Sequence, residues 1–273
     1  MTRKRNNHPR QQDALVDVIV TTAGRFDMLA KCLDRLDNEK QIQINIIVID
    51  NGSPAEERIT NEAMFTGRNT KRLPNNIGFP AACNEAARMG KAPLILFLSD
   101  DVLLDDAAIA SLVKTMDDPA VGIVGTKLLF PEDSTSPHRP AGRVQHVGLA
   151  CDIGGNIIHP LIGWNKDNPK ACITRDVLAV TGASLMVRRQ LFSKAGGFDT
   201  VFGLGTYEDA NLCLTVRQMG SRIMLDANAI GHHYVGATAE KRQEAFPLGI
   251  NAMIFKSRWM PTGLIIWDSW TFM

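Results

Sequence analysis

Leu94-Ile95-Leu96-Phe97-Leu98-Ser99-Asp100-Asp101-Val102 is a run of five apolar residues that ends, after one serine, in two carboxylates. A short continuous apolar run reads as a strand buried on both faces, the pattern of a parallel sheet. In open α/β sheets, ligands gather beyond the carboxyl ends of the strands. Asp100 and Asp101 are therefore expected on the rim of a cleft, carried by a rigid element. Adjacent carboxylates repel each other, and a hard divalent cation shared with a substrate phosphate would relieve them. The plainer alternative is that Asp101 or Asp105 caps the following helix.

Upstream, the same pattern recurs. Val16 to Thr21 reads as a first strand, Thr22 to Arg25 as a turn, and Phe26 to Leu36 as a helix with apolar residues at helical spacing. Ile44 to Ile49 is a second buried strand that runs into Asp50-Asn51-Gly52-Ser53. Pro54 and Glu56-Glu57 then open a helix, with Ser53 as its expected cap. A weaker strand near Lys71–Leu73 precedes Pro74-Asn75-Asn76-Ile77-Gly78-Phe79 and a helix from Pro80 to Met89 that carries Asn84 and Arg88. A helix over Asp105–Met116 and a strand over Val121–Gly125 follow the central run. Strands alternating with helices argue a doubly wound, mostly parallel sheet. Right-handed crossovers then place Asp50 and Asp101 on the same rim.

After about residue 128 the alternation breaks down. Residues 130–145 are proline-rich and read as a loop, 144–158 as short antiparallel strands around Gly154-Gly155, and 159–173 as another loop containing Trp164. Gly196-Gly197-Phe198-Asp199 is a tight turn. Gly203-Leu204-Gly205-Thr206 could move as a lid, and Glu208-Asp209 opens an amphipathic helix, where the dipole alone would favour acids. Arg222–Leu225 and Ala229–His233 read as two strands, and 238–256 as a last helix broken near Pro247. The chain thus divides into a basic tail (1–13), a first half (14–128), a second half of the same domain (129–258) and an apolar tail (259–273).

Composition narrows the function. The 273 residues are 45% hydrophobic with a net charge of +1, so no strong field recruits nucleic acid. Five scattered cysteines without a CxxC pair fit a reducing cytosol better than a disulfide framework. No signal peptide and no run of about 20 apolar residues is read, so a cytoplasmic protein is expected. The tail's Arg3, Lys4, Arg5 and Arg10 leave room for a phosphate-binding arm or a nucleic-acid acceptor.

Strand-Asp50-Asn51-Gly52-Ser53, Asn75-Asn76-x-Gly78, strand-Asp100-Asp101, Thr181-Gly182-Ala183, Gly197-Phe198-Asp199, Glu208-Asp209 and His232 occur in that order. The order closely resembles the family-2 glycosyltransferases of GT-A fold, particularly their rhamnosyltransferase-like branch, over residues 16–236. The resemblance implies a Rossmann-like, mostly parallel sheet flanked by helices, with a smaller acceptor-side portion of strands and loops. It also implies roles. Thr21, Ala23 and Arg25 would line the nucleotide pocket, and Asp50 would accept a hydrogen bond from the base. Asn76 and Gly78 would let the backbone approach the nucleotide, with Asn84 supporting that loop and Gly182 joining the donor-binding set. Asp101 would bind the metal and Asp100 would lie near ribose or metal, although Ser99 stands where a literal DxD motif has its first acid. His232 matches the family's late metal-binding histidine, and His233 is its alternative. Asp209 would be the general base and Glu208 would orient the acceptor or the loop.

The chemistry that follows is inverting transfer from a UDP- or dTDP-sugar, with Mn²⁺ or Mg²⁺ offsetting charge on the diphosphate leaving group and Asp209 taking the proton of an acceptor hydroxyl. The acceptor is a glycan, a lipid-linked species or another hydroxyl compound. Trp164 and Trp259 could stack on a sugar or simply pack. Residues 256–270, basic and Trp-containing, could lie on a membrane surface or pack on the body. The competing functions are a nucleotidyltransferase, of whose basic glycine-rich loop Thr21–Arg25 is a faint echo, and a non-catalytic sugar-nucleotide-binding relative.

Overall fold

The computed structural model describes residues 14–235 and 246–265. The basic tail, residues 236–245 with Lys241 and Arg242, and residues 266–273 of the apolar tail lie outside the described residues.

The first half alternates as its apolar pattern requires: β1 (Val16–Thr22), α1 (Phe26–Asp37), β2 (Ile44–Asn51), α2 (Ala55–Thr60), β3 (Asn69–Leu73), α3 (Phe79–Ala87) and β4 (Leu94–Ser99). Strands β3, β2, β1 and β4 lie side by side in parallel. In β4, Leu94, Leu96 and Leu98 enter one core while Ile95 and Phe97 enter the other. Both faces of the strand are covered, which is why its apolar run is unbroken. On one face Phe97, Phe192 and Phe198 pack with ring centroids 4.8–5.5 Å apart.

The chain continues through β5 (Val102–Leu104), α4 (Ala108–Thr115), β6 (Val121–Leu129), β7 (Val144–His146), β8 (Ala150–Cys151), β9 (Ile157–Ile158), β10 (Arg175–Asp176), β11 (Ser184–Arg188), α5 (Arg189–Lys194), α6 (Glu208–Gln218), β12 (Arg222–His233) and α7 (Leu248–Trp259). The sheet order is β10-β12-β6-β11-β4-β1-β2-β3, with β5 added on β12 and β7 on β6. Only β11 among the long inner strands runs against its neighbours. The sheet therefore passes without a break through the point where the sequence pattern changes.

Three local expectations are corrected. Ser53 does not cap α2: its hydroxyl has no partner, and its N–H donates instead to Asp50 Oδ1 at 2.9 Å. Neither Asp101 nor Asp105 caps α4, which starts behind Ala107 in a left-handed conformation (φ 65°) without a side-chain cap. The two expected strands 222–225 and 229–233 are one strand, β12. It bulges where Asp226 pairs with Thr126 but Ile230 pairs with Lys127. Asp226 fixes that bulge by accepting from Ser111, Thr115 and Thr174 hydroxyls and from the Asn228 amide, at 2.6–3.2 Å. Among the described residues no helix is long and apolar enough to cross a membrane.

Candidate active site

The carboxyl ends of β1, β2 and β4 open onto a cleft of about 400 Å³. Thr21, Thr22, Ala23, Asn51, Asn76, Asp100, Asp101, Thr181, Gly182, Glu208, Asp209, His233 and Phe246 line it.

Both acids beyond β4 are buried. Asp100 Oδ2 has no hydrogen-bond partner, and burial together with the neighbouring Asp101 charge pushes its carboxyl well above the usual carboxylate range. Burial pushes Asp101 the same way, but the His233 ring, by its charge and its hydrogen bond, holds it below that range. His233 Nε2 stands 3.4 Å from Asp101 Oδ1. His232, the histidine favoured from the sequence, points elsewhere: its Nε2 lies 3.4 Å from Asp105 Oδ1, and that bond raises its pKa. Side chains alternate along a strand, so only one member of the pair can face the cleft.

These groups fit a divalent cation. An imidazole nitrogen and a carboxylate oxygen 3.4 Å apart are near enough to share one cation. Next in the chain, Asp100 keeps one buried oxygen without a hydrogen-bond partner. Among the described residues no three His, Cys, Asp or Glu side chains converge into a full ligand set. A cation here would therefore draw its remaining ligands from substrate oxygens and water, as Mg²⁺-type sites do.

The donor-side residues are placed less uniformly than expected. Thr21, Ala23 and Asn76 line the cleft. Asp50 does not: it is 1% exposed, with Oδ2 accepting from Arg58 at 2.7 Å and Oδ1 from the Ser53 amide. With both oxygens engaged it braces the β2 turn, and Asn51 takes its place in the lining. Arg25 forks onto Asp27 at 3.0 and 3.1 Å, and that bond first, then the more distant Asp100 and Asp101, raise its pKa. Asn76 Oδ1 accepts from Asn51 Nδ2 (2.8 Å) and the Gly78 amide (3.0 Å). Gly78, in the left-handed region (φ 88°), faces protein rather than open cleft. A Cβ there would stand 2.0 Å from the Gly203 carbonyl oxygen. Asn84 does not brace that loop either. Its amide clasps Phe198, accepting from N–H and donating to C=O, both at 2.8 Å.

Glu208 and Asp209 begin α6 behind an unusual approach. Gly203, Gly205, Thr206 and Tyr207 all have positive φ (60°, 136°, 79° and 69°). For Thr206 and Tyr207 this costs on the order of 1 kcal/mol or more each. Asn251 of α7, 1% exposed, holds the strained segment: its Nδ2 lies 2.8–3.1 Å from the carbonyls of Phe202, Gly205 and Thr206 and the Thr206 hydroxyl. The stretch read as a lid is thus clamped, also by Phe79 N–H donating to Leu204 O at 3.1 Å. Asp209 accepts from the Ala210 amide (2.7 Å) and the Gly182 amide (2.9 Å). Gly182 therefore orients an acid as well as lining the cleft. Burial raises the Asp209 pKa while those amides pull it back. Glu208 Oε2 has no partner, and burial plus the Asp209 charge push that carboxyl well above its usual range.

Sequence reasoning missed Asn51, Phe246, Asn251 and Gln145, whose Oε1 lies 3.3 Å from His233 Nδ1. Asn51 stands inside a quoted motif and was within reach; the others join the site through contacts that carry no local signal. Behind Gln145, His146 Nδ1 meets His159 Nδ1 at 3.2 Å. Burial pushes His146 well below its ordinary value and His159 down to about 4, so both are neutral near pH 7.

The sequence model of Glycosyl transferase family 2 matches residues 17–195. The O-antigen biosynthesis protein RfbC of Myxococcus xanthus is 29% identical over 89% of this chain and 19% of its own length. The protein y4gI of Sinorhizobium fredii is 24% identical over 86% of this chain and 26% of its own. The chain thus spans about a fifth to a quarter of these relatives. Among solved structures, GalNAc-T7 with UDP, GalNAc and Mn²⁺ superposes at a TM-score of 0.71 and 14% identity, over 91% of this chain and 49% of that one. The mannosyltransferase PcManGT of Pyrobaculum calidifontis, with GDP-Man and Mn²⁺, gives 0.55 and 15% over 92% and 71%.

Proposed function

The chain belongs to glycosyl transferase family 2, and from that premise we propose that it moves a sugar from a nucleoside-diphosphate donor to an acceptor hydroxyl, with inversion at the anomeric carbon. Its α/β architecture is the GT-A fold. The observation that carries the proposal is that the two acidic pairs, Asp100-Asp101 with His233 against Asp101 and Glu208-Asp209, line one cleft.

In this reading Asp101 and His233 would hold Mn²⁺ or Mg²⁺, with Asp100 next to them in the chain, and the ion would supply positive charge against the diphosphate leaving group. Thr21, Ala23, Asn51 and Asn76 line the donor side. Asp209, kept ionisable by two backbone amides, accepts the proton of the attacking hydroxyl. Glu208, whose carboxyl burial and the Asp209 charge push well above its usual range, favours the protonated form, which can donate to a sugar or acceptor oxygen. Attack from the face opposite the leaving group inverts the centre, and no carboxylate nucleophile is needed.

The donor is a UDP- or dTDP-sugar. A glycan acceptor, free or lipid-linked, is favoured by the O-antigen biosynthesis relative; the net charge of +1 gives a nucleic-acid acceptor no support. Of the stretch 256–270, Trp259 and Ile265 are buried, and Trp259 Nε1 donates to Asn211 Oδ1 at 3.0 Å. Any contact with a membrane surface is better served by α7, where Leu248, Ile250 and Met253 are 59–72% exposed.

Calorimetry with UDP, dTDP, GDP and CDP, each with Mn²⁺ and with EDTA, tests the reading. Tight, metal-dependent binding of UDP or dTDP supports it, and no binding to folded protein removes it. Pyrophosphate release would identify a nucleotidyltransferase instead.

A further inference from the structure

We propose that Gln145 is a positioning residue that sets the tautomer of His233 and so keeps the Nε2 lone pair open to the cation. The inference rests on the metal-binding reading above and concerns how this chain prepares its ligand.

Gln145 reaches His233 because the strand carrying it is irregular. On β6, the consecutive residues Leu128 and Leu129 pair with His146 and Val144 of β7, which leaves Gln145 as the extra residue of a bulge. Bulges re-aim a side chain, and they favour the neighbourhood of active sites. On the other flank of β6, Leu129 pairs with His232 of β12, one residue from His233. The re-aimed amide of Gln145, 6% exposed, brings Oε1 to 3.3 Å from His233 Nδ1. The opposite ring nitrogen, Nε2, stands 3.4 Å from Asp101 Oδ1.

A carbonyl oxygen only accepts hydrogen bonds, so the Nδ1 that faces it carries the proton. Nε2 in turn donates to the Asp101 carboxylate while no cation is bound; were a cation to take the place of that proton, the proton left on the ring would be the one on Nδ1, and the Nε2 lone pair would face Asp101 and the cleft. With the amide nitrogen toward Nδ1 instead, the proton would sit on Nε2 and the ring would be closed to a cation. His146 does not compete for this task. Its Nε2 accepts from the amides of Gly148 and Thr181, both at 3.3 Å, and its Nδ1 faces His159. Outer partners of this kind change metal affinity by about 10–100-fold when removed.

The test is Mn²⁺ titration of the full chain with UDP present, read by electron paramagnetic resonance, with ¹⁴N modulation as the signature of a bound imidazole. Gln145→Met keeps the length and apolar stem but removes the acceptor. It should weaken Mn²⁺ by about 10–100-fold and reduce the nitrogen signal. Gln145→Glu keeps an acceptor facing Nδ1 and should hold wild-type affinity or tighten it. Thermal unfolding checks that each variant folds; if Gln145→Met does not, the Glu arm still decides. Wild-type affinity and nitrogen signal in a folded Gln145→Met would overturn the inference, as would a Gln145→Glu that binds as weakly as His233→Ala. Should His233→Ala itself bind Mn²⁺ like the wild type, His233 is no ligand, and the metal-site reading falls along with the inference.

Discussion

Asp100-Asp101 and Glu208-Asp209 are the same pattern, two adjacent acids, set on different backbones. Each pair has one carboxylate held by partners and one buried oxygen without any. Beyond β4 the held acid is Asp101, gripped by a side chain, His233. At the start of α6 it is Asp209, gripped by two backbone amides. An imidazole shares a cation with its carboxylate and can be displaced toward it. Amides cannot leave; they fix a carboxylate in place and favour its ionised form. On the proposed reading one pair collects positive charge, and the other holds a carboxylate, both of its oxygens on amides, ready for a proton.

That contrast can be broken most directly at Asp209. Asp209→Asn is expected to lower transfer by about 10³-fold while leaving nucleotide and Mn²⁺ binding unchanged, as read by steady-state turnover beside calorimetry. Asp101→Asn should do the reverse in kind, weakening Mn²⁺ by about 100-fold, or about 2.7 kcal/mol, in the same titration. Asn251→Ala strips the clamp from the strained approach to the second pair. It should cost about 2 kcal/mol in urea unfolding, and turnover should fall further than nucleotide affinity. Glu208→Gln sharpens the comparison through pH. The folded-state pKa of Glu208 is raised, so the wild type loses stability as pH rises from the unfolded value toward the folded one. The variant should therefore gain on the wild type between pH 4.5 and pH 8, and equal gaps at both pH values would show that Glu208 is not buried neutral. The smallest effect belongs to His232→Ala. Its partner Asp105 is 46% exposed, so about 0.5 kcal/mol of stability and no change in Mn²⁺ affinity are expected.

The first of these pairs was far more legible than the second. A buried strand followed by acids has few interpretations, and β1, β2 and β4 each announced their cleft ends within a handful of residues. What surrounds the pairs was not local. Asp50 looked like another rim acid until Arg58, eight residues on, consumed one of its oxygens. Asn84 finds its partner 114 residues away. The choice between His232 and His233 is made upstream, at the bulge that Asp226 pins. Strand facing has a period of two, and the residues taken up by the bulge set which histidine turns inward. Nothing in the His-His dipeptide records that phase.

At Gly78 the two halves of the cleft touch backbone to backbone, with room there for a hydrogen but not a methyl group. The loop held by Asn51 and the loop leading into Glu208 therefore move together or not at all. In kinetic terms this favours compulsory order: a nucleotide that settles Asn76–Gly78 also settles Gly203–Leu204, and the acceptor meets a finished surface. Product inhibition would then follow the ordered pattern, with the released nucleotide competing against donor but not against acceptor; competition against both would uncouple the loops.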